Sequence, residues 1–228
     1  MASIDLVMLD CDGVLIDSEI IAAEVESEKL TAWGYPIEPA VYAERFAGMS
    51  EEDIVERIAE ETGRRLPDDH PETVRAAIFE RVASGVEAIE GAAAMIAALP
   101  APVCVCSNSG TDYLRAALER VGLWETLGEH VYSGRELGAP KPDPRVFLHA
   151  AEALGADPRR SVVLEDSVYG VEAALAAGAR AIGFTGGAHS WRGHADALSE
   201  AGATTVVARH ADVAPTVAAL AQWDDRAA

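Results

Sequence analysis

Basic residues are scarce in this chain: 18 Lys and Arg stand against 38 Asp and Glu, a formal net charge of −20. Nucleic acid and anionic membrane surfaces both need a basic face, so neither is an expected partner. An anionic ligand could bind only where a local cation or metal reverses the field. Long apolar runs are missing as well. No stretch approaches the ~20 residues of a membrane-spanning helix, and Asp5 interrupts the N-terminus before a signal-peptide core can form. Cysteine is sparse and odd in number (Cys11, Cys104 and Cys106), with no CxxC pair. That excludes a disulfide scaffold and a thioredoxin-type redox motif, and it reads as free thiols in a reducing, cytoplasmic setting.

What is present is a chain of 228 residues, half of them hydrophobic, enough for one large domain or a core carrying a smaller insertion. A globule of that size buries roughly 70% of its unfolded surface and needs no staple. The stretch that organises it is Leu6-Val7-Met8-Leu9-Asp10-Cys11-Asp12-Gly13. A short apolar run of strand character stops on two aspartates one residue apart, and Gly13 lets the chain turn away. If the strand continues through them, Asp10 and Asp12 project from one face. Carboxylates that close repel unless a cation or a shared proton intervenes, so a metal site with acid–base capacity is the leading reading. A solvated acidic turn is the plain alternative. An EF-hand is not, because its loop wants a third oxygen ligand before the glycine and lies between helices.

Residues 18–86 have a helical character with no strand-like run. One helix ends near Gly34-Tyr35-Pro36, Ser50 stands as N-cap of a second with Asp53 in the capping-box position, and Glu72 to Ser84 forms another. Trp33, Tyr35, Tyr42 and Phe46 read as the core of this block. From Gly91 onward short apolar runs alternate with helices. The strands are Val103–Cys106, Val131–Ser133, Val162–Leu164, Arg180–Phe184 and Thr204–Val207. Helices follow at Tyr113 to Val121, Asp143-Pro144 to Leu154, Val168 to Ala177 and Val213 to Ala221. This predicts an α/β fold with a parallel sheet covered on both faces.

Sites in such sheets form at the carboxyl ends of strands. Three strands end there in polar groups: Asp10 and Asp12, Ser107 and Asn108, Glu165 and Asp166. Lys141, between Pro140 and Pro142 in a stiffened loop, can supply the one cation suited to burial. One loop stays apart. Gly186-Gly187-Ala188-His189-Ser190-Trp191-Arg192-Gly193-His194 leaves a strand on the same edge, and a second metal at His189 and His194 lacks an evident third ligand. A loop that packs on or gates the site is the preferred reading.

These residues carry a resemblance. Asp10-Cys11-Asp12-Gly13-Val14-Leu15 with Asp17-Ser18-Glu19, then Ser107-Asn108, Lys141-Pro142, and Glu165-Asp166-Ser167 with Gly170 and Ala173-Ala174 are four motifs in order. They resemble those of the haloacid dehalogenase superfamily, in the branch that holds β-phosphoglucomutase and phosphoglycolate phosphatase. The resemblance implies a Rossmann-like core, residues 1–17 and 87–228, and an inserted small helical cap domain, residues 18–86. It implies Asp10 as nucleophile and Asp12 as general acid and base. It further implies Mg²⁺ held by Asp10, Asp166, Glu165 and the backbone carbonyl of Asp12. Ser107, the amides after it, Asn108 and Lys141 are expected on the phosphoryl oxygens. Arg45 and Gly48 are expected in a substrate-facing cap loop.

Family mutases carry a histidine where Ala22 stands, and an arginine after the Gly-x-Ser that Gly48-Met49-Ser50 resembles, where Glu51 stands. Hydrolysis is therefore favoured over phosphoryl transfer within a sugar. A dehalogenase should lack Asp12 and need no metal, and a non-catalytic binding protein should have lost at least one of Asp10, Asp12, Lys141 and Asp166. The expected ligand is a small phosphorylated metabolite.

Overall fold

The computed structural model describes residues 4–46, 49 and 51–224, with the side chains at 51, 52, 223 and 224 excepted. Ser50 and Gly48, expected as helix cap and substrate contact, lie outside the described residues. Six parallel strands form one sheet: β1 (Leu6–Leu9), β2 (Val103–Ser107), β3 (Val131–Ser133), β4 (Ser161–Glu165), β5 (Arg180–Phe184) and β6 (Thr205–Val207), in the order β3-β2-β1-β4-β5-β6. β1 lies at the centre, with Val7 opposite Val103 on one side and Val162 on the other.

Both faces of β1 are apolar, and both are covered. Val7 and Leu9 join Val105, Leu164, Ile182 and Phe184 in one buried cluster, while Leu6 and Met8 join Cys104, Cys106, Phe147 and Val163 in another. A strand buried on both faces reads as a continuous hydrophobic run, which is why β1, β2 and β4 are legible in the sequence. The three cysteines are buried and free.

Eleven α-helices accompany the sheet among the described residues. They are α1 (Ser18–Trp33), α2 (Pro39–Phe46), α3 (Glu51–Thr62), α4 (His70–Gly85), α5 (Ala92–Ala98), α6 (Thr111–Arg120), α7 (Trp124–Leu127), α8 (Arg145–Ala153), α9 (Val168–Ala176), α10 (His194–Glu200) and α11 (Val213–Asp224). α5, α6 and α11 bury residues in the first cluster; α8, α9 and α10 bury theirs in the second. α8 begins one residue later than its sequence suggests, with Pro144 at the cap position, and the Asp143 carboxylate accepts the Arg145 amide at 2.9 Å.

α1, α2 and α3 share a cluster of their own, Leu30, Phe46 and Ile58 with Leu66, against which Trp33, Tyr35 and Tyr42 pack, whereas α4 places Val82 in the first cluster of the sheet. α1 stops where Gly34 takes a left-handed φ of 103°. Two chain segments connect these helices to the sheet and are bonded to each other. The Asp17 amide donates to Glu87 O (3.0 Å) and the Ile89 amide to Leu15 O (3.0 Å). This neck lies a few residues beyond Asp10 and Asp12.

Candidate active site

β1 ends at Leu9, and the chain then coils: the amides of Leu15 and Ile16 both donate to Cys11 O, and Gly13, with φ 72°, donates to Ile16 O. Asp10 and Asp12 therefore do not share a strand face. They take different hydrogen-bond partners, while the charge of Asp12 still raises the Asp10 carboxyl. Gly13 is required for space as well as conformation, since a Cβ there would stand 1.9 Å from Asp166 Oδ2.

Asp10 enters a buried ionic cluster. Lys141 Nζ donates to Asp10 Oδ1 at 2.6 Å and to Glu165 Oε1 at 2.5 Å; the side chain is almost fully buried, and Nζ lies 5.2 Å from the centre of the Phe147 ring. The other Glu165 oxygen accepts from the Ser167 amide and hydroxyl, both at 2.9 Å. Burial pushes the Asp10 carboxyl well above the usual carboxylate range. Lys141 pulls it down, and Glu165, Asp166 and Asp12 push it further up. Asp166 is raised likewise, by burial and then by Glu165. For Lys141 burial works against the charge, yet Asp10 and Glu165 hold the ammonium above its ordinary value. The lysine is the cation here, and the acids around it are in excess.

Asp12 instead accepts hydroxyls. Ser18 Oγ donates to it at 2.6 Å, Ser109 Oγ at 2.7 Å and the Tyr113 phenol at 2.7 Å, while Ser107 Oγ lies 3.4 Å away. Burial and Asp12 together keep the Tyr113 hydroxyl protonated. Ser107 is itself buried, and its Oγ accepts the Ser109 amide at 3.0 Å, so that amide is engaged within the chain. Asn108 braces the lysine loop with both ends of its amide: Oδ1 accepts the Lys141 N–H (2.7 Å) and Nδ2 donates to Lys141 O (3.2 Å).

All these groups border one cleft of about 850 Å³, closed on the far side by Ala22, Tyr42, Phe46 and Arg75 of the helical block. Of the residues expected at the site, Asp10, Asp12, Ser107, Asn108, Lys141, Glu165 and Asp166 all line this cleft. Arg45 does not. Its guanidinium is held by Glu61 and by the Tyr35 hydroxyl (2.7 Å) on the exposed side of the helical block, so the expectation of a substrate contact is withdrawn. Ser18, Ser109 and Tyr113 were missed. Serines and a tyrosine near a helix start are too common to signal a carboxylate partner.

A divalent cation fits the donor set. Asp10, Glu165 and Asp166 each offer a carboxylate oxygen, and the three oxygens lie within 4.8 Å of one another, all buried. Lys141 offsets one of their three potential negative charges, and the hard oxygen donors suit Mg²⁺. The Asp12 carboxylate is not among these donors and accepts hydroxyls instead. Among the described residues His189 and His194 belong to no second cluster of metal-ligating groups. Both turn to Asp166: His189 Nε2 lies 2.9 Å from its carboxylate, and His194 Nε2 donates to its carbonyl at 2.6 Å. Among the described residues no helix is long and apolar enough to cross a membrane.

Comparison with known proteins agrees with this architecture. The family described as haloacid dehalogenase-like hydrolase matches residues 4–178. The 6-phosphogluconate phosphatase of Escherichia coli (strain K12) is 30% identical over 191 residues, covering 83% of this chain and 86% of the relative. A crystal structure of a conserved haloacid dehalogenase-like protein of unknown function from Agrobacterium tumefaciens superposes with a TM-score of 0.90 at 44% identity. It covers 96% of this chain and 100% of that one. A HAD family hydrolase from Deinococcus radiodurans, solved with bound phosphate and sodium, gives a TM-score of 0.75 at 35% identity, covering 93% and 94% of the two chains.

Proposed function

Because the chain belongs to the haloacid dehalogenase-like hydrolase family, we propose that it hydrolyses the phosphate ester of a small metabolite through a covalent aspartyl-phosphate on Asp10. The chain is a phosphoric monoester hydrolase, in keeping with its phosphatase relative. The observation that carries the reading is the pairing across one cleft of a buried carboxylate salt-bridged to Lys141 with a second carboxylate ringed by hydroxyls.

Asp10, the residue at the end of β1, presents its carboxylate to phosphorus, forming the Oδ–P bond as the ester P–O bond breaks. Asp12 delivers its proton to the departing alkoxide. In the second half Asp12 takes a proton from water, whose oxygen attacks phosphorus and releases inorganic phosphate with Asp10 restored. Ser18, Ser109 and Tyr113 hold Asp12 in one orientation throughout. Lys141 and Ser107 offer donors to the phosphoryl oxygens, and Asn108 fixes where the lysine stands. Asp10, Glu165 and Asp166, with the backbone of Asp12, would hold Mg²⁺. When bound, the ion offsets the excess negative charge and draws the phosphoryl group in.

Residues 18–86 act in this reading as a cap, joined to the core of residues 1–17 and 87–228 through the neck. The cleft volume is that of a small-molecule site. Sugar, polyol and sugar-acid phosphates are the substrate class, since a relative is named for 6-phosphogluconate. Ala22 lines the cleft from α1 and offers neither donor nor acceptor, which favours hydrolysis over a mutase. The test is phosphate release from a panel of such esters with Mg²⁺. Activity abolished by EDTA is expected; no release from any ester would sink the proposal.

A further inference from the structure

The 186–194 loop is not used by the chemistry above, yet three of its groups are tied to the site. His189 is largely buried, at 11% side-chain exposure, with Nε2 2.9 Å from Asp166 Oδ2. Carboxylate oxygens of an ionised aspartate only accept, so Nε2–H is the donor in this contact. His189 Nδ1 is buried with no hydrogen-bond partner among the described residues, so the ring is not held there by its other nitrogen. His194 takes the same aspartate from behind, donating to the Asp166 carbonyl at 2.6 Å, with the Trp191 indole stacked on its ring at 3.8 Å. One residue before His189, the Ala188 amide donates to Asp17 Oδ1 at 3.1 Å. Asp17 is the neck residue that opens into α1.

The packing leaves this loop little alternative. A Cβ at Gly187 would stand 2.6 Å from His189 Nδ1 and 3.0 Å from Gly13 O, and a Cβ at Gly13 would stand 2.8 Å from His189 Cε1. Two glycines on different elements thus make the room into which the imidazole fits. We propose that His189 is a positioning residue of the cation site. It fixes one oxygen of Asp166 and leaves the other for the metal, while the amide before it links that carboxylate to the neck of the helical block. The inference rests on the proposed metal-dependent phosphatase reading. It goes beyond it by naming a histidine outside the four motifs. Orienting partners of ligating carboxylates typically change metal affinity 10–100-fold when removed.

The test measures metal binding directly, without any ester. Mn²⁺ is titrated into the full-length, metal-free chain by calorimetry for the parent, His189→Ala and His189→Gln. Gln places an amide N–H near the position of Nε2. The expected result is a Kd about 10-fold or more weaker for His189→Ala, largely restored in His189→Gln, with thermal midpoints that do not follow the same order. Parent-like affinity in His189→Ala overturns the inference. So does equal weakening in both variants alongside a matching loss of thermal stability, which is the mark of a packing role. A parent that binds Mn²⁺ but hydrolyses no ester would overturn the function and leave this binding result standing.

Discussion

At the scale of single residues, the two aspartates of the first motif differ because their neighbours differ. Asp10 faces a lysine and two acids; Asp12 faces three hydroxyls. Tyr113→Phe removes one donor to Asp12 and nothing from the phosphate side. A hydrogen bond to a charged group contributes about 1.5–3 kcal/mol, so kcat should fall roughly 10- to 100-fold with KM little changed. An unaltered kcat would show that the tyrosine does not hold the acid–base group. The acid cluster makes a second prediction. Asp10 and Asp166 bind protons more tightly in the folded chain than in the unfolded one, whose carboxylates titrate near about 4. Their contribution is therefore full below that value and is lost as pH rises through the raised folded values. In EDTA the urea midpoint should fall as pH rises above about 4. Mg²⁺, or Asp10→Asn with Asp166→Asn, should flatten that slope; a midpoint that climbs with pH in EDTA contradicts the cause assigned here.

At the scale of elements, the site depends on how closely α9 approaches the end of β4. A Cβ on Gly170 would fall 1.8 Å from Glu165 Oε1, the atom that accepts from Lys141. Gly170→Ala should therefore displace Glu165, weaken its hold on Lys141, and cost activity more than 10-fold with a lowered thermal midpoint. Parent-like activity would mean that the helix shifts freely. The elements most legible in the sequence were those whose pattern reports burial directly. β1, β2 and β4 are unbroken apolar runs between polar ends, and Asp143-Pro144 marks the start of α8. α5 and α10 went unread: Ala92–Ala98 is mostly alanine, which shows no polar–apolar period, and His194–Glu200 is only seven residues long. Whether β1 runs on through Asp12 is left open by side-chain alternation, because the coil after Leu9 is closed by backbone bonds to Cys11 O.

At the scale of the molecule, the ordering of motifs along the chain was enough to gather seven of the expected residues around one cleft, because each ends or follows a strand on the same edge of a parallel sheet. Arg45 was misplaced for the complementary reason. Its partner Glu61 comes from another helix of the block, and no local pattern reveals such a pairing. The helical block facing the site, on a chain of net charge −20, also limits what can enter. Phosphoserine peptides should be hydrolysed at least ~100-fold less efficiently than a sugar-acid phosphate, since a chain cannot lie between block and core while water is excluded. Comparable kcat/KM values for the two would contradict a closing cap.

If phosphorus passes through Asp10, the acyl phosphate can be trapped. Enzyme turning over a sugar phosphate with Mg²⁺ is quenched with borohydride, which reduces an aspartyl phosphate to homoserine, and its peptides are sequenced by mass spectrometry. Homoserine is expected at position 10, dependent on substrate and absent from Asp10→Asn, which should also release no phosphate. Turnover with Asp10 unmodified, homoserine at another position, or phosphate release by Asp10→Asn would contradict it.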